Sequence, residues 1–95
     1  MMKIGICEAG GQLTLKVEGR LAGPWVGELE RCWRSTRENH PNGRFLVDLT
    51  GVSYIDQAGQ HLLELMHRDG ANFAAAGLMT QCIVNQITEK GTNIV

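Results

Sequence analysis

The chain has 95 residues, 43% of them hydrophobic, with nine basic side chains against ten acidic ones. That length holds one small domain with a single core, and that hydrophobic content excludes a disordered chain. A formal net charge of -1 offers no broad basic footprint for nucleic acid, and no apolar run nears the roughly 20 residues of a membrane-spanning helix.

The first segment, residues 2–8, alternates weakly, with Ile4 and Ile6 on one side and Lys3 and Gly5 on the other. It ends at Ala9-Gly10-Gly11, where two glycines can take positive φ and close a hairpin. Residues 12–18 alternate cleanly: Leu13, Leu15 and Val17 face one way, and Gln12, Thr14, Lys16 and Glu18 the other. This predicts a half-buried strand, antiparallel to the first. Residues 19–24 read as a loop that delivers Pro24 to the first turn of a helix, where a missing amide costs nothing. The helix is expected over residues 24–38, with Trp25, Val26, Leu29, Cys32, Trp33 and Thr36 as its packed stripe. Trp25, at the first turn, is expected to be partly exposed. Asn39-His40-Pro41-Asn42-Gly43 stops the helix.

Phe45-Leu46-Val47 is a short apolar run, as in a strand buried on both faces. A polar turn is expected at residues 48–53, after which Tyr54 and Ile55 lead to Asp56. Asp56 is placed to cap the next helix, because its carboxylate can accept from an amide of the first turn. That helix is expected to bury Ala58, Leu62, Leu65, Met66 and Asp69, widened by Leu63. Gln57, Gln60, His61, Glu64 and Arg68 fall on its opposite side. After Gly70, residues 72–76 read as a further strand and residues 80–90 as a weaker helix. Residues 91–95 read as a last edge strand or a frayed tail. The order is β-β-α-β-α-β-α, with an optional final β. Strands joined through helical crossovers run parallel, so the expected fold is α/β: a small mixed sheet with helices packed mainly on one face, in one domain over residues 1–95.

Chemistry-bearing patterns are sparse. No glycine-rich phosphate loop of either common spacing occurs. His61, Glu64 and His67 fall on one side of a helix, but paired ligands usually sit at i and i+4, and a solvated face is the expected reading. Cys7, Cys32 and Cys82 are odd in number and lack paired spacing, so buried thiols without disulfides are expected. Asp48 and Asp56 bracket the turn and invite comparison with a carboxylate pair, although capping already occupies Asp56. No cofactor, metal or catalytic group is expected. The N-terminus, Met-Met-Lys-Ile-Gly-Ile-Cys-Glu, has no apolar signal segment before its first acid, and a cytoplasmic location is expected.

Asp48-Leu-Thr-Gly-Val-Ser-Tyr-Ile-Asp56-Gln-Ala-Gly59, followed by a leucine-rich helix, resembles the central signature of STAS domains, the sulfate-transporter and anti-sigma-factor-antagonist domains. Val17-Glu-Gly-Arg-Leu21 is similar to that family as well, and the element order agrees. The family usually adds another strand and helix, and little follows Lys90 here. The resemblance implies a non-catalytic bacterial signalling module that acts in transcription regulation by binding a protein, as anti-anti-sigma factors do. Its partner would be an anti-sigma-factor kinase or a similar protein. The implied partner surface comprises Thr50, Gly51, Ser53, Asp56, Gln57, Ala58, Gly59, Gln60 and His61. In phosphorylation-switched members the acceptor hydroxyl is two residues after the aspartate matching Asp56. Ala58 stands at that position and takes no phosphate, and Ser53 and Thr50 are nearby hydroxyls suited to holding turn amides. Two other functions fit the same resemblance: a soluble accessory subunit docked on the ATPase of a membrane transporter, such as an ABC-type lipid transport system, and a small nucleotide-binding protein or enzyme. A homodimer is left open.

Overall fold

The computed structural model describes residues 2–90. The elements are β1 (Met2–Ala9), β2 (Gln12–Leu21), α1 (Pro24–Asn39), β3 (Arg44–Ile55), α2 (Gln57–Arg68), β4 (Asn72–Ala74) and α3 (Leu78–Lys90). The optional final strand over residues 91–95 lies outside the described residues. The strands form one sheet in the order β1-β2-β3-β4. β1 and β2 are antiparallel, while β2–β3 and β3–β4 are parallel, as the hairpin and the two helical crossovers require.

One face of the sheet carries the core. Leu13, Leu15 and Val17 of β2 and Phe45, Val47 and Leu49 of β3 are buried on it, beneath Leu29 and Trp33 of α1 and Leu62, Leu63 and Met66 of α2. The other face is polar, with Lys16 and Glu18 exposed. The apolar run at the start of β3 is therefore buried on one face rather than two: Leu46 points the other way and is only half-buried.

β3 departs most from the expected pattern. No turn interrupts residues 48–53, and the strand continues to Ile55. Lys16 pairs with Asp48 but Glu18 with Gly51, and Gly19 pairs with Val52 but Arg20 with Tyr54. β3 thus holds one extra residue at each shift, the signature of a β-bulge. Its buried positions step accordingly: Phe45, Val47, Leu49, then Val52, then Ile55. Each three-residue step returns an apolar side chain to the core where strict alternation would have exposed it. β2 likewise runs on to Leu21 instead of ending at Glu18, because its last residues pair with this bulged extension.

The helices shift in smaller ways. α2 buries Gly59, Leu62, Leu63 and Met66, while Ala58 is exposed and Leu65 is 37% exposed. Asp69 lies beyond the last turn as the C-cap, not in the packed stripe. β4 ends at Ala74, two residues early, and α3 begins at Leu78, two residues before the expected start. Trp25 is half-buried against the core and Trp33 meets Phe45 edge-on, with ring centroids 5.0 Å apart. The cysteines are free, but in place of mostly buried thiols Cys7 and Cys82 are exposed and Cys32 is half-buried. Cys7 lies on the uncovered sheet face and Cys82 on the outer side of α3.

Candidate functional site

Asp56 sits between the end of β3 and the start of α2. Its Oδ1 accepts a hydrogen bond from the Gly59 amide at 2.7 Å, which caps α2 as its position predicts. Its Oδ2 accepts from the Gly23 amide at 3.0 Å, at the start of α1. The Asp56 amide donates to the Leu21 carbonyl at 3.1 Å. One residue therefore fastens the β2–α1 turn to the β3–α2 turn. Gly23 has φ 59°, a left-handed conformation that glycine adopts without strain, and it offers α1 no side-chain cap of its own. The amides of Gly23, then of Gly59, hold the Asp56 carboxyl below the ordinary aspartate range.

Asp48 and Thr50 form a second local unit at the first bulge. Asp48 Oδ1 accepts from the Thr50 hydroxyl at 2.6 Å and from the Thr50 amide at 2.9 Å. These bonds, the hydroxyl's first, lower the Asp48 pKa. The two carboxylates thus have separate partners, and both are held in the charged form. A carboxyl group acting as a general acid near neutral pH needs the opposite shift.

The remaining residues of the predicted surface sort by exposure. Thr50, Gly51 and Ser53 are exposed on β3, and the Ser53 hydroxyl donates to the Gly19 carbonyl at 3.3 Å. Arg20 lies over the ring of the exposed Tyr54, 4.7 Å from its centroid. Gln57, Ala58 and His61 are exposed on α2 and Gln60 is half-buried. Gly59 is buried, so it positions the surface rather than forming it. Gln57, Gln60, His61 and Glu64 line one side of a groove of about 220 Å³ whose other side is Gln86 and Ile87 of α3. Gln86 is thus a neighbour that no local pattern around residues 48–69 could have supplied, since it is brought there only by the packing of α3 on α2. His61 and Glu64 approach to 3.9 Å, whereas His67 turns toward Phe73, with ring centroids 6.3 Å apart. Among the described residues no three His, Cys, Asp or Glu side chains are grouped to hold a metal ion.

A four-stranded sheet of this order, with its helices on one face, is the fold of STAS-type domains. The chain has the fold of the anti-sigma factor antagonists. It superposes on an anti-sigma factor antagonist from Mycobacterium paratuberculosis with a TM-score of 0.83, at 15% identity, over 97% of this chain and 82% of that one. It superposes on the anti-sigma factor antagonist SpoIIAA in its unphosphorylated form with a TM-score of 0.58, at 11% identity, over 97% of this chain and 100% of the other. An antisigma-factor antagonist STAS domain from Rhodobacter sphaeroides gives 0.54, at 16% identity, over 80% and 86%. No protein-family model matches the sequence, and no curated protein is significantly similar to it. Among the described residues no helix is long and apolar enough to cross a membrane.

Proposed function

We propose that this chain is a non-catalytic, protein-binding regulatory module that docks through the exposed β3 residues Thr50, Gly51 and Ser53 and the start of α2. The observation that carries this reading is the exposure of Gln57 and Ala58 in the first turn of α2, which Asp56 caps through Gly59 and ties to the β2–α1 turn through Gly23. A turn fixed from both sides loses little freedom on binding, which favours its use as a docking surface. The likeness in fold to anti-sigma factor antagonists supports a protein partner of the anti-sigma-factor kinase type. Ala58 occupies the position of the usual phospho-acceptor, so binding answers to the amount of partner and not to a phosphate at that position.

The test compares wild type and Ala58→Glu as baits in the native lysate, with mass spectrometry of what each retains. Ala58 is exposed, and an acidic side chain in the first turn of a helix complements its dipole. The variant therefore folds, and any loss of binding is a loss at the surface. Retention of a kinase-like anti-sigma protein by wild type alone is the expected result. Retention of a transporter ATPase would make the chain an accessory subunit, and equal retention by both baits would refute this docking surface.

A further inference from the structure

The sheet has two edges of unequal kind. One is β4, three residues long; the other is β1, eight residues long, paired with β2 without a break from Met2↔Gly19 to Ala9↔Gln12. Protein edges are ordinarily blunted by proline, a bulge, a covering element or a central charge. β1 has no proline or bulge, no described element covers it, and its charges, Lys3 and Glu8, stand near its ends.

Pairing with β2 puts Met2, Ile4, Ile6 and Glu8 on the core side of the sheet, level with Gly19, Val17, Leu15 and Leu13. The helices reach Met2, which is 8% exposed, but leave Ile4 half-covered and Ile6 53% exposed. Gly10 and Gly11, at φ 59° and 81°, make the connecting turn a type I′ hairpin. Its flanking pair, Ala9 and Gln12, is then hydrogen-bonded. Alternation from that pair turns the amides and carbonyls of Ile4, Ile6 and Glu8 outward, away from β2.

We propose that two copies of this chain pair antiparallel through β1, about a twofold axis at Gly5, joining their sheets into one. In that register the strand pairs with its copy from Met2 to Glu8, and Glu8 falls opposite Met2, which the helices already cover. With the axis at Gly5, Ile4 of each copy lies opposite Ile6 of the other, all on the core side, and outward-directed backbone groups meet one another. Moving the axis to Ile6 sets Ile4 against the carboxylate of Glu8, and moving it to Ile4 leaves Glu8 unpaired and shortens the ladder. Registers between these put an outward-pointing residue opposite an inward-pointing one. On the opposite face, a Cβ at Gly5 would meet no heavy atom within 4 Å, so nothing obstructs the approach at the axis. A second copy is the occupant because, in this register, the half-covered Ile4 and the exposed Ile6 of each copy cover one another.

The experiment uses the full chain carrying Cys7→Ser and Cys82→Ser, with Cys32 retained inside α1. Gly5→Cys places two thiols across the axis in a non-hydrogen-bonded pair, where Cα atoms about 4.5 Å apart suit a disulfide. Lys3→Cys, on the same face, places them four positions apart, about 13 Å along the strands, beyond disulfide reach. The parent is expected to sediment at twice the 10.4 kDa of one chain. Mild oxidation is expected to cross-link Gly5→Cys at least about tenfold faster than Lys3→Cys, following the difference in reach. Ile6→Lys, at an exposed position, is expected to sediment as a monomer with an unchanged circular dichroism spectrum. A parent that stays monomeric at millimolar concentration overturns the pairing. A dimer that survives Ile6→Lys overturns β1 as the interface, and one that cross-links equally at both positions overturns the axis at Gly5.

Discussion

Gly59 packs so closely on the Leu21 carbonyl that a Cβ at position 59 would stand 2.8 Å from that oxygen, and 3.0 Å from Cγ2 of Ile55. Gly59 is thus where α2 touches the end of β2, and it needs to be glycine for closeness, not for an unusual φ. Gly59→Ala would gain about 1 kcal/mol of helix propensity. The backbone oxygen of Leu21 cannot swing aside as a side chain could, and forcing an extra methyl into a packed site costs about 1–3 kcal/mol. The expected outcome is a net loss of stability of up to about 2 kcal/mol, read as a lower urea midpoint with an unchanged m-value. A midpoint at or above wild type would show that α2 lifts off freely.

The Asp56 clamp sets a pH dependence whose sign is fixed. Its carboxyl is held below the ordinary range when folded, so the folded state binds fewer protons than the unfolded state near pH 4. The stabilisation is present in full above the unfolded value of about 4 and is lost as pH falls through the folded value. Asp56→Asn keeps one acceptor oxygen and cannot titrate. Stability of the variant is expected to be lower at neutral pH and to fall less steeply between pH 5 and 2 (a window on either side of about 4). Equal slopes in thermal melts across that window would place the titrating contact elsewhere.

Much of the fold was legible because its signals were local. The hairpin glycines, the alternation of β2, the proline start of α1 and the cap at Asp56 each act within a few residues. β3 hides from alternation because a strand with two extra residues shows steps of three at Leu49, Val52 and Ile55, and such steps look like a turn. The second oxygen of Asp56 was hidden for a different reason. Its partner Gly23 is 33 residues away, so only the packed sheet brings the two together. Gly59 could have been found, since spacings of three, one and three join it to Leu62, Leu63 and Met66 once glycine is allowed to count as core.

At the first bulge, the Thr50 hydroxyl is the leading cause of the lowered Asp48 pKa, ahead of the Thr50 amide. Thr50→Val removes the hydroxyl bond and keeps the shape and the amide bond. The Asp48 pKa is therefore expected to rise toward the ordinary aspartate range without reaching it. Carbon-detected NMR titration of the side-chain carboxyl measures this directly, and an unmoved value would mean that the amide alone holds the charge. Because the pair is near the surface, the change in overall stability is expected to stay within about 0.5 kcal/mol.

Leu63 and Leu65 decide which way α2 is turned on the sheet. Leu63 has no exposed surface, whereas Leu65 is 37% exposed. At 100° per residue, exchanging their roles would need a large rotation of the helix, and Gln57 and Ala58 would no longer face outward as they do. Leu63→Ala empties a fully packed site and is expected to cost about 2–5 kcal/mol. Leu65→Ala removes a side chain that water already reaches, and less than about 1 kcal/mol is expected. Denaturant titration of the two variants side by side separates the phases, and a larger loss for Leu65→Ala would reverse the assignment. That result would also remove Gln57 and Ala58 from the exposed face, so the helix rotation that buries Leu63 is the same feature that presents the proposed docking turn.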